Sequence, residues 1–334
     1  MSNRYTHLHT SPSGPSDARP TAFQIIQDNH LTGALTGKVA LITGVSSGIG
    51  IETARALRTT GMHVFGAVRN IAKATAALQP DLEPGSLELL ELDMDSLASV
   101  RACAKQFLEK SSTLNILVTN AGVMMTPEGR TQDGFETQFG TNHLAHFLLF
   151  QLLKPTLLSS ATPEFGSRVV SLSSAGHRGT SINISNLNFE GCYDPVAAYA
   201  QSKLANIYMA NSIERLYGHR HLHAFSVMPG GIWTGLQGSL PKDVVDAWKG
   251  DKAFQAAFKS AAQGAATTVF GAVDKELEGK GGVYLEDCGV AGLAVEEGDL
   301  GLPGYGVRAF CGGDEERLWG VSCGLVGVDG DGEV

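Results

Sequence analysis

Residues 39–57 read Val39-Ala-Leu-Ile-Thr-Gly-Val-Ser-Ser-Gly-Ile-Gly-Ile-Glu-Thr-Ala-Arg-Ala-Leu57. An unbroken apolar run, 39–42, enters a glycine-punctuated turn, and a stretch of helical character follows. A parallel strand covered on both faces has that continuous apolar character. Gly44 permits a sharp turn off the strand, Gly48 lets backbone approach a pyrophosphate, and Gly50 lets the helix lie close to the sheet. The helix start then offers unpaired N–H groups and the positive end of its dipole, a seat for phosphate. Ser46, Ser47 and Ile49 belong to the same loop. A plain turn is the alternative reading, and the strand before and the helix ending at Gly61 weigh against it.

Outward from this segment, apolar strand-like runs alternate with longer stretches of helical period, the sequence form of repeated βαβ units. Strands are expected at 39–42, 63–67, 87–92, 116–118, 169–172, 224–227 and 283–285. No second series begins and no internal repeat is evident. The expectation is therefore a single α/β catalytic domain over 21–290, a doubly wound parallel sheet of about seven strands with helices on both faces. Phe23, Ile25 and Ile26 predict a short helix ahead of the first strand. Residues 1–20, rich in Ser and Pro, are expected to be disordered because they bury too little apolar surface to offset chain entropy. The Gly-rich, acidic residues 291–334 read as a loosely ordered tail with a helical turn or two near Leu318, Trp319 and Val321.

Composition narrows the function. The formal net charge of -9 over 334 residues, with no Lys/Arg block, argues against nucleic acid as a partner. No run is long enough for a membrane anchor, and residues 1–20 lack the apolar core of a secretory signal, so a cytoplasmic location is the default. The five cysteines are odd in number and scattered without a C-x-x-C pair, which suggests neither a disulfide framework nor a zinc site. His219, His221 and His223 alternate before a strand, but no Cys or carboxylate ligand stands beside them, so no metal is expected.

Two further stretches carry chemistry. Tyr199-Ala-Gln-Ser-Lys203 places a phenol and an ammonium one helical turn apart on one face. A phenol titrating near ~10 is a sluggish acid or base at neutral pH, and a nearby cation favours its phenolate, so Lys203 is expected to lower the pKa of Tyr199. Ser173-Ser174 follows the strand 169–172, at the sheet edge where doubly wound folds bind ligands.

Thr43-Gly-Val-Ser-Ser-Gly-Ile-Gly50 resembles the T-G-x-x-x-G-I-G signature of the short-chain dehydrogenase/reductase family, whose fold is of Rossmann type, and the resemblance continues over residues 37 to about 290. Thr119-Asn-Ala-Gly122 is similar to the family's N-N-A-G element, assigned mainly to stabilising the central sheet; here Asn120 is its asparagine. The resemblance implies that Asn142, Ser174, Tyr199 and Lys203 are catalytic. Tyr199 would exchange a proton with the substrate oxygen. Lys203 would also hold the nicotinamide ribose. Ser174, with Ser173 as the competing choice, would donate to the same oxygen as negative charge develops. The Asn142 carbonyl would hold a proton-relaying water, against the plain alternative of a solvent-facing helix residue. His143, His146 and His177 are expected to pack or hydrogen-bond.

The strand 63–67 ends in Arg69 with no acid near, whereas an NAD enzyme places Asp or Glu there, so NADP(H) is the expected cofactor. Asp93 resembles the adenine-binding position, with an N-cap for the helix after Ser96 as the alternative. Met228-Pro-Gly-Gly-Ile-Trp-Thr234 is similar to the family's P-G-x-x-x-T element, in which Ile232 and Thr234 would hold the carboxamide and phosphates. Residues 235–262 read equally as an apolar-faced substrate lid or as surface helices.

Further similarity, in Asn142-His-Leu-Ala-His-Phe-Leu148, in Ala198-Tyr-Ala-Gln-Ser-Lys-Leu-Ala-Asn206 and in the long interval from Ser174 to Tyr199, points to the retinol-dehydrogenase-like and fungal branch. The expected function is an NADP(H)-dependent oxidoreductase interconverting the carbonyl and alcohol of a fairly apolar small molecule, with fungal secondary metabolism as one setting. A non-catalytic NADP(H)-sensing protein is the rival. An epimerase or dehydratase would show G-x-x-G-x-x-G spacing instead. The resemblance also implies a homodimer through the helices bearing Asn142 and Tyr199, unless the tail alters that.

Overall fold

One sheet runs in the order β3-β2-β1-β4-β5-β6-β7-β8 in the computed structural model, which describes residues 4–329. Its strands are β1 (Val39–Thr43), β2 (His63–Val68), β3 (Leu87–Glu91), β4 (Ile116–Thr119), β5 (Ser167–Leu172), β6 (Leu222–Met228), β7 (Val283–Glu286) and β8 (Gly289–Val290). The first seven are parallel, and β8 turns back antiparallel on β7. Every expected strand is present within two residues of its expected bounds. The strand β8 is not among those expected, because two residues carry no periodicity to detect. β1, β4 and β5 are buried at every residue, which is why they read as continuous apolar runs.

The helices are α1 (Ala22–Asp28), α2 (Ile49–Thr59), α3 (Ile71–Leu78), α4 (Leu97–Lys110), α5 (Thr137–Phe139), α6 (Ala145–Ser160), α7 (Pro195–Tyr217), α8 (Lys242–Gly250), α9 (Lys252–Ala257), α10 (Ala261–Gly264), α11 (Ala266–Val273) and α12 (Gly312–Val326). Strand side chains alternate between two cores. Leu41 packs with Phe107 of α4, Phe147 of α6, Leu204 of α7 and Trp319 of α12. Ala40 and Ile42 face Ile25 of α1, Leu57 of α2 and Phe270 of α11. The chain leaves β1 toward β2 on one side and β4 takes its place on the other, so the crevice beyond the C-terminal ends of β1 and β4 is the topological switch point. Among the described residues no helix is long and apolar enough to cross a membrane.

Two terminal expectations need correction. Residues 4–20, expected to be disordered, lie packed on the domain. Tyr5 is buried and its hydroxyl donates to Asp28 at 2.9 Å; Arg19 is buried and donates to the carbonyls of Ala257 and Phe258 at 2.7 and 2.6 Å. A few anchoring side chains hold a segment whose average composition reads as disorder. The C-terminal tail, expected to be loose, carries the 15-residue helix α12, with Leu318, Trp319, Cys323 and Val326 in the core. Gly320 and Gly324 interrupt its apolar stripe, and Gly is a poor helix former, so the pattern is diluted although packing sustains the helix.

Candidate active site

At the start of α2, Gly48 sits at φ 62° and no side chain caps the helix, so its first N–H groups face the crevice without a side-chain partner. A Cβ at Gly48 would lie 2.8 Å from Cγ2 of Thr234, and one at Gly50 would collide with the Gly44 carbonyl oxygen. The loop from Gly44 through Ser46, Ser47 and Ile49 is thus a backbone cradle closed on one side by Thr234. Asn120 ties the sheet together, as the family resemblance implies for its element: its Nδ2 donates to the carbonyls of Thr43 and Gly44 at 2.8 and 3.3 Å.

Thr43 Oγ1 accepts the N–H groups of Asn120 and Ala121, both at 2.9 Å, which fills its lone pairs. Its own proton therefore goes to Nε2 of His146, 2.9 Å away, and Nδ1–H of His146 donates to the Asn142 carbonyl at 2.9 Å. Burial holds His146 down to about 4, in keeping with this neutral ring. Asn142 lies in a π-helical turn, Gly140–Leu144, between α5 and α6. It is fully buried, which removes the solvent-facing alternative; its side chain accepts from Val123 N at 2.8 Å and donates to Val123 O and Ser202 Oγ, both at 2.9 Å.

Asp194 caps α7 by accepting from Ala197 N at 2.7 Å, and Pro195 occupies the first turn, where its missing N–H costs nothing. One turn inward stand Tyr199 and Lys203, 6% and 5% exposed. Lys203 Nζ donates to the Leu172 carbonyl at 3.2 Å and lies 5.7 Å from the centroid of the Tyr199 ring. The expected lowering of the Tyr199 pKa by Lys203 is not what the protein alone displays. Burial pushes the phenol up to about 12, opposed by a hydrogen bond to Ser174, while burial pulls Lys203 down to about 8. Desolvation outweighs an ammonium placed over the ring rather than beside the hydroxyl.

The two serines part company. Ser173 Oγ donates to the Lys203 carbonyl at 2.9 Å, fastening β5 to α7, whereas Ser174 meets Tyr199. Ser174 Oγ accepts from Gly176 N at 3.1 Å as the cap of a short turn, Ala175–Gly179.

Arg69 follows β2, exposed and with no ion pair among the described residues. Asp93 accepts from Asp95 N at 3.1 Å, and Ser96 itself caps α4, so the N-cap alternative for Asp93 does not hold. The Ile232 carbonyl accepts from Gln237 Nε2 at 2.9 Å, and Thr234 Oγ1 accepts from Leu236 N at 3.1 Å. The helices α8 and α9 bury no residue of their own; Trp233 stacks on Phe258 with centroids 4.8 Å apart, and Phe254 lies between Trp248 and Phe258.

Lys259 carries no sequence motif that marks it, yet it sits at the turn after β6. Its N–H donates to Gly231 O at 2.8 Å, its Nζ reaches Pro229 O at 3.3 Å and Asp287 at 2.8 Å, and so it braces the Pro229–Gly231 turn. No local pattern joins partners about thirty residues apart. His223, one of the three alternating histidines, pairs with Glu214 at 3.1 Å.

The uncapped α2 terminus, the glycine cradle and a buried ammonium with no carboxylate partner among the described residues together fit a phosphorylated, polar cofactor. Comparison with known proteins agrees. A family model described as short chain dehydrogenase matches residues 38–245. The chain is 50% identical over 325 residues to the short-chain dehydrogenase/reductase prx1 of Penicillium roqueforti, covering 97% of this chain and 95% of that one. It is 36% identical over 298 residues to retinol dehydrogenase 12 of Mus musculus, covering 88% of each. Among solved structures, an uncharacterized protein from Mycobacterium paratuberculosis matches with a TM-score of 0.66 at 31% identity, over 88% of this chain and 95% of that one.

Proposed function

The chain belongs to the short-chain dehydrogenase/reductase family, and from that membership we propose that it is an NADP(H)-dependent oxidoreductase interconverting a carbonyl and an alcohol on a fairly apolar small molecule. The observation that carries this reading is the meeting of Tyr199, Ser174, Lys203 and Asn142 around the ends of β4 and β5. The nicotinamide, when bound, gives or takes the hydride. The residues of the chain do the rest.

Ser174 accepts from Gly176 N and keeps its own proton for donation, so it can hold the substrate oxygen beside Tyr199. Tyr199 protonates that oxygen in the reductive direction and removes the proton in the oxidative one. Lys203 would hold the cofactor ribose and supply positive charge near the phenol, its Nζ lying 5.7 Å from the Tyr199 ring centroid. Asn142 and His146 fix the backbone behind Lys203. Gly44, Ser46, Ser47, Gly48, Ile49 and Gly50 would hold the pyrophosphate, Asp93 the adenine, and Ile232 and Thr234 the carboxamide end, with Asn120 setting the loop between.

The preference for NADP(H) over NAD(H) rests on Arg69, whose guanidinium is free for a 2'-phosphate, and on the absence of an acid at the end of β2. An apolar substrate is supported by the aromatic cluster of 233–258 and by the name of the mouse relative, whose alcohol is retinol. Fungal secondary metabolism is the setting that the branch resemblance suggests, and a cytoplasmic location the default.

The test is Tyr199→Phe, assayed with a panel of ketones and secondary alcohols against both nicotinamide pairs at the nicotinamide absorbance. Turnover is expected to stop while NADPH binding persists. Full activity in the variant overturns the mechanism, and faster turnover with NADH than NADPH in the unmodified enzyme overturns the cofactor assignment.

A further inference from the structure

His177 is a buried group that the chemistry above leaves unused. Ser174 opens the turn Ala175–Gly179, and its carbonyl accepts from the His177 backbone N–H at 3.1 Å and from ring Nδ1 at 2.6 Å. On the far side of the ring, Nε2 accepts the Gly306 N–H at 2.9 Å. The protons have no freedom of placement. A carbonyl only accepts and an amide N–H only donates, so Nδ1 carries the hydrogen and Nε2 the lone pair.

Gly306 belongs to the segment 291–310, which arrives from far along the chain and is fastened at several points. Arg178, next to His177, donates from Nη2 to the Leu302 carbonyl at 2.9 Å, and Gly304 N donates to Glu286 at 2.7 Å. A Cβ at Gly306 would meet Glu297 Oε1 at 2.9 Å and Arg178 Cγ at 3.1 Å, so the backbone here comes as close as a glycine allows. The same segment presents Leu293, Leu300 and Val307 to solvent. It thus combines an apolar outer surface with a fixed contact to the loop that carries Ser174.

We propose that His177 is a positioning residue that couples the C-terminal segment 291–310 to Ser174, so that the seating of this segment sets the reach of the serine hydroxyl toward the substrate oxygen. The inference rests on the reading of Ser174 as the donor to that oxygen. Imidazole suits the task because its two nitrogens serve opposite sides at once. An asparagine amide nitrogen can stand where Nδ1 stands but falls short of Gly306; a glutamine amide oxygen can stand near Nε2 but leaves the Ser174 carbonyl.

The experiment uses the full chain with NADPH and the panel ketone turned over fastest, together with hydrogen exchange at the Gly306 amide. His177→Gln is expected to keep slow exchange at Gly306 and to lose about tenfold in kcat with little change in KM. His177→Asn is expected to exchange Gly306 faster and, with the segment no longer held to the Ser174 loop, to lose about tenfold in kcat as well. Ser174→Ala is run in parallel. If it loses activity while His177→Asn exchanges Gly306 faster yet keeps the kcat of the unmodified enzyme, or while His177→Gln keeps its kcat, the coupling is overturned and the serine reading stands. If Ser174→Ala retains full activity, the serine reading falls and the coupling falls with it.

Discussion

Lys203 shows most plainly the tension at the scale of single residues. Its ammonium is buried with no carboxylate partner among the described residues, and burial alone draws it from 10.5 down to about 8. For a base with a depressed folded value, the folded state carries the whole cost at any pH below about 8, where the group is charged both folded and unfolded. The cost shrinks as pH rises from about 8 to 10.5 and is gone above that. Lys203→Met should therefore stabilise the protein by about 2–3 kcal/mol at pH 7 while abolishing turnover. The Leu172 carbonyl that Lys203 leaves still accepts from Asn206 Nδ2 at 2.9 Å, so no buried acceptor is orphaned. Thermal melts of both proteins at pH 7 and pH 10 check this, with the gap expected to narrow at the higher pH. A lower melting temperature for the Met variant at pH 7 would sink the idea. A destabilising charge kept in a crevice beside a phenol and a serine is what a functional site looks like energetically.

At the scale of elements, the N-terminal segment acts on the region 235–262. The Arg19 guanidinium donates to Asp17 at 2.8 Å, to the Gly14 carbonyl at 3.1 Å, and to the carbonyls of Ala257 and Phe258 that end α9. Removing it takes one donor from Asp17, which still accepts from Ser13 N, Arg19 N and Gln263 Nε2, and leaves the Gly14, Ala257 and Phe258 carbonyls without theirs, so Arg19→Met is expected to cost about 1–3 kcal/mol. Equilibrium urea unfolding measures that loss, and protease nicking between α8 and α10 should appear early; an unchanged midpoint with no nicking counts against the role. This link was invisible in the sequence, since its partners lie 238 and 239 positions apart. What could be read were the elements whose signal is local. The seven parallel strands announce themselves because burial on both faces demands apolar residues throughout, and the glycine cradle because backbone must come within contact distance of other backbone. The Tyr199–Lys203 pair was legible from helical spacing, but the balance between desolvation and the neighbouring charge was not, because it depends on where Nζ points. Asn142 could be placed by resemblance, whereas the Thr43–His146 link behind it needed the strand and helix to be brought together.

At the scale of the whole molecule, the C-terminal helix decides what the outer faces of α6 and α7 can meet. Trp319 of α12 packs edge-on to Phe147 and Phe150 of α6, with centroids 4.9 and 6.1 Å away. Ser322 bonds His143 at 2.9 Å, and Glu315 accepts from Asn211 and Arg215 of α7, both at 2.8 Å. The faces of α6 and α7 through which the resemblance implies a homodimer are thus packed by a helix of the same chain. An association across them would have to displace a buried tryptophan, and truncating such a residue alone costs about 3–5 kcal/mol. The chain is therefore expected to sediment as a monomer. Trp319→Asp, which cannot leave its charge in that apolar seat, should release α12, uncover Phe147 and Phe150, and shift the sedimentation profile toward self-association. A dimer in the unmodified protein that is unaffected by Trp319→Asp would place the contact elsewhere and remove α12 from any part in it.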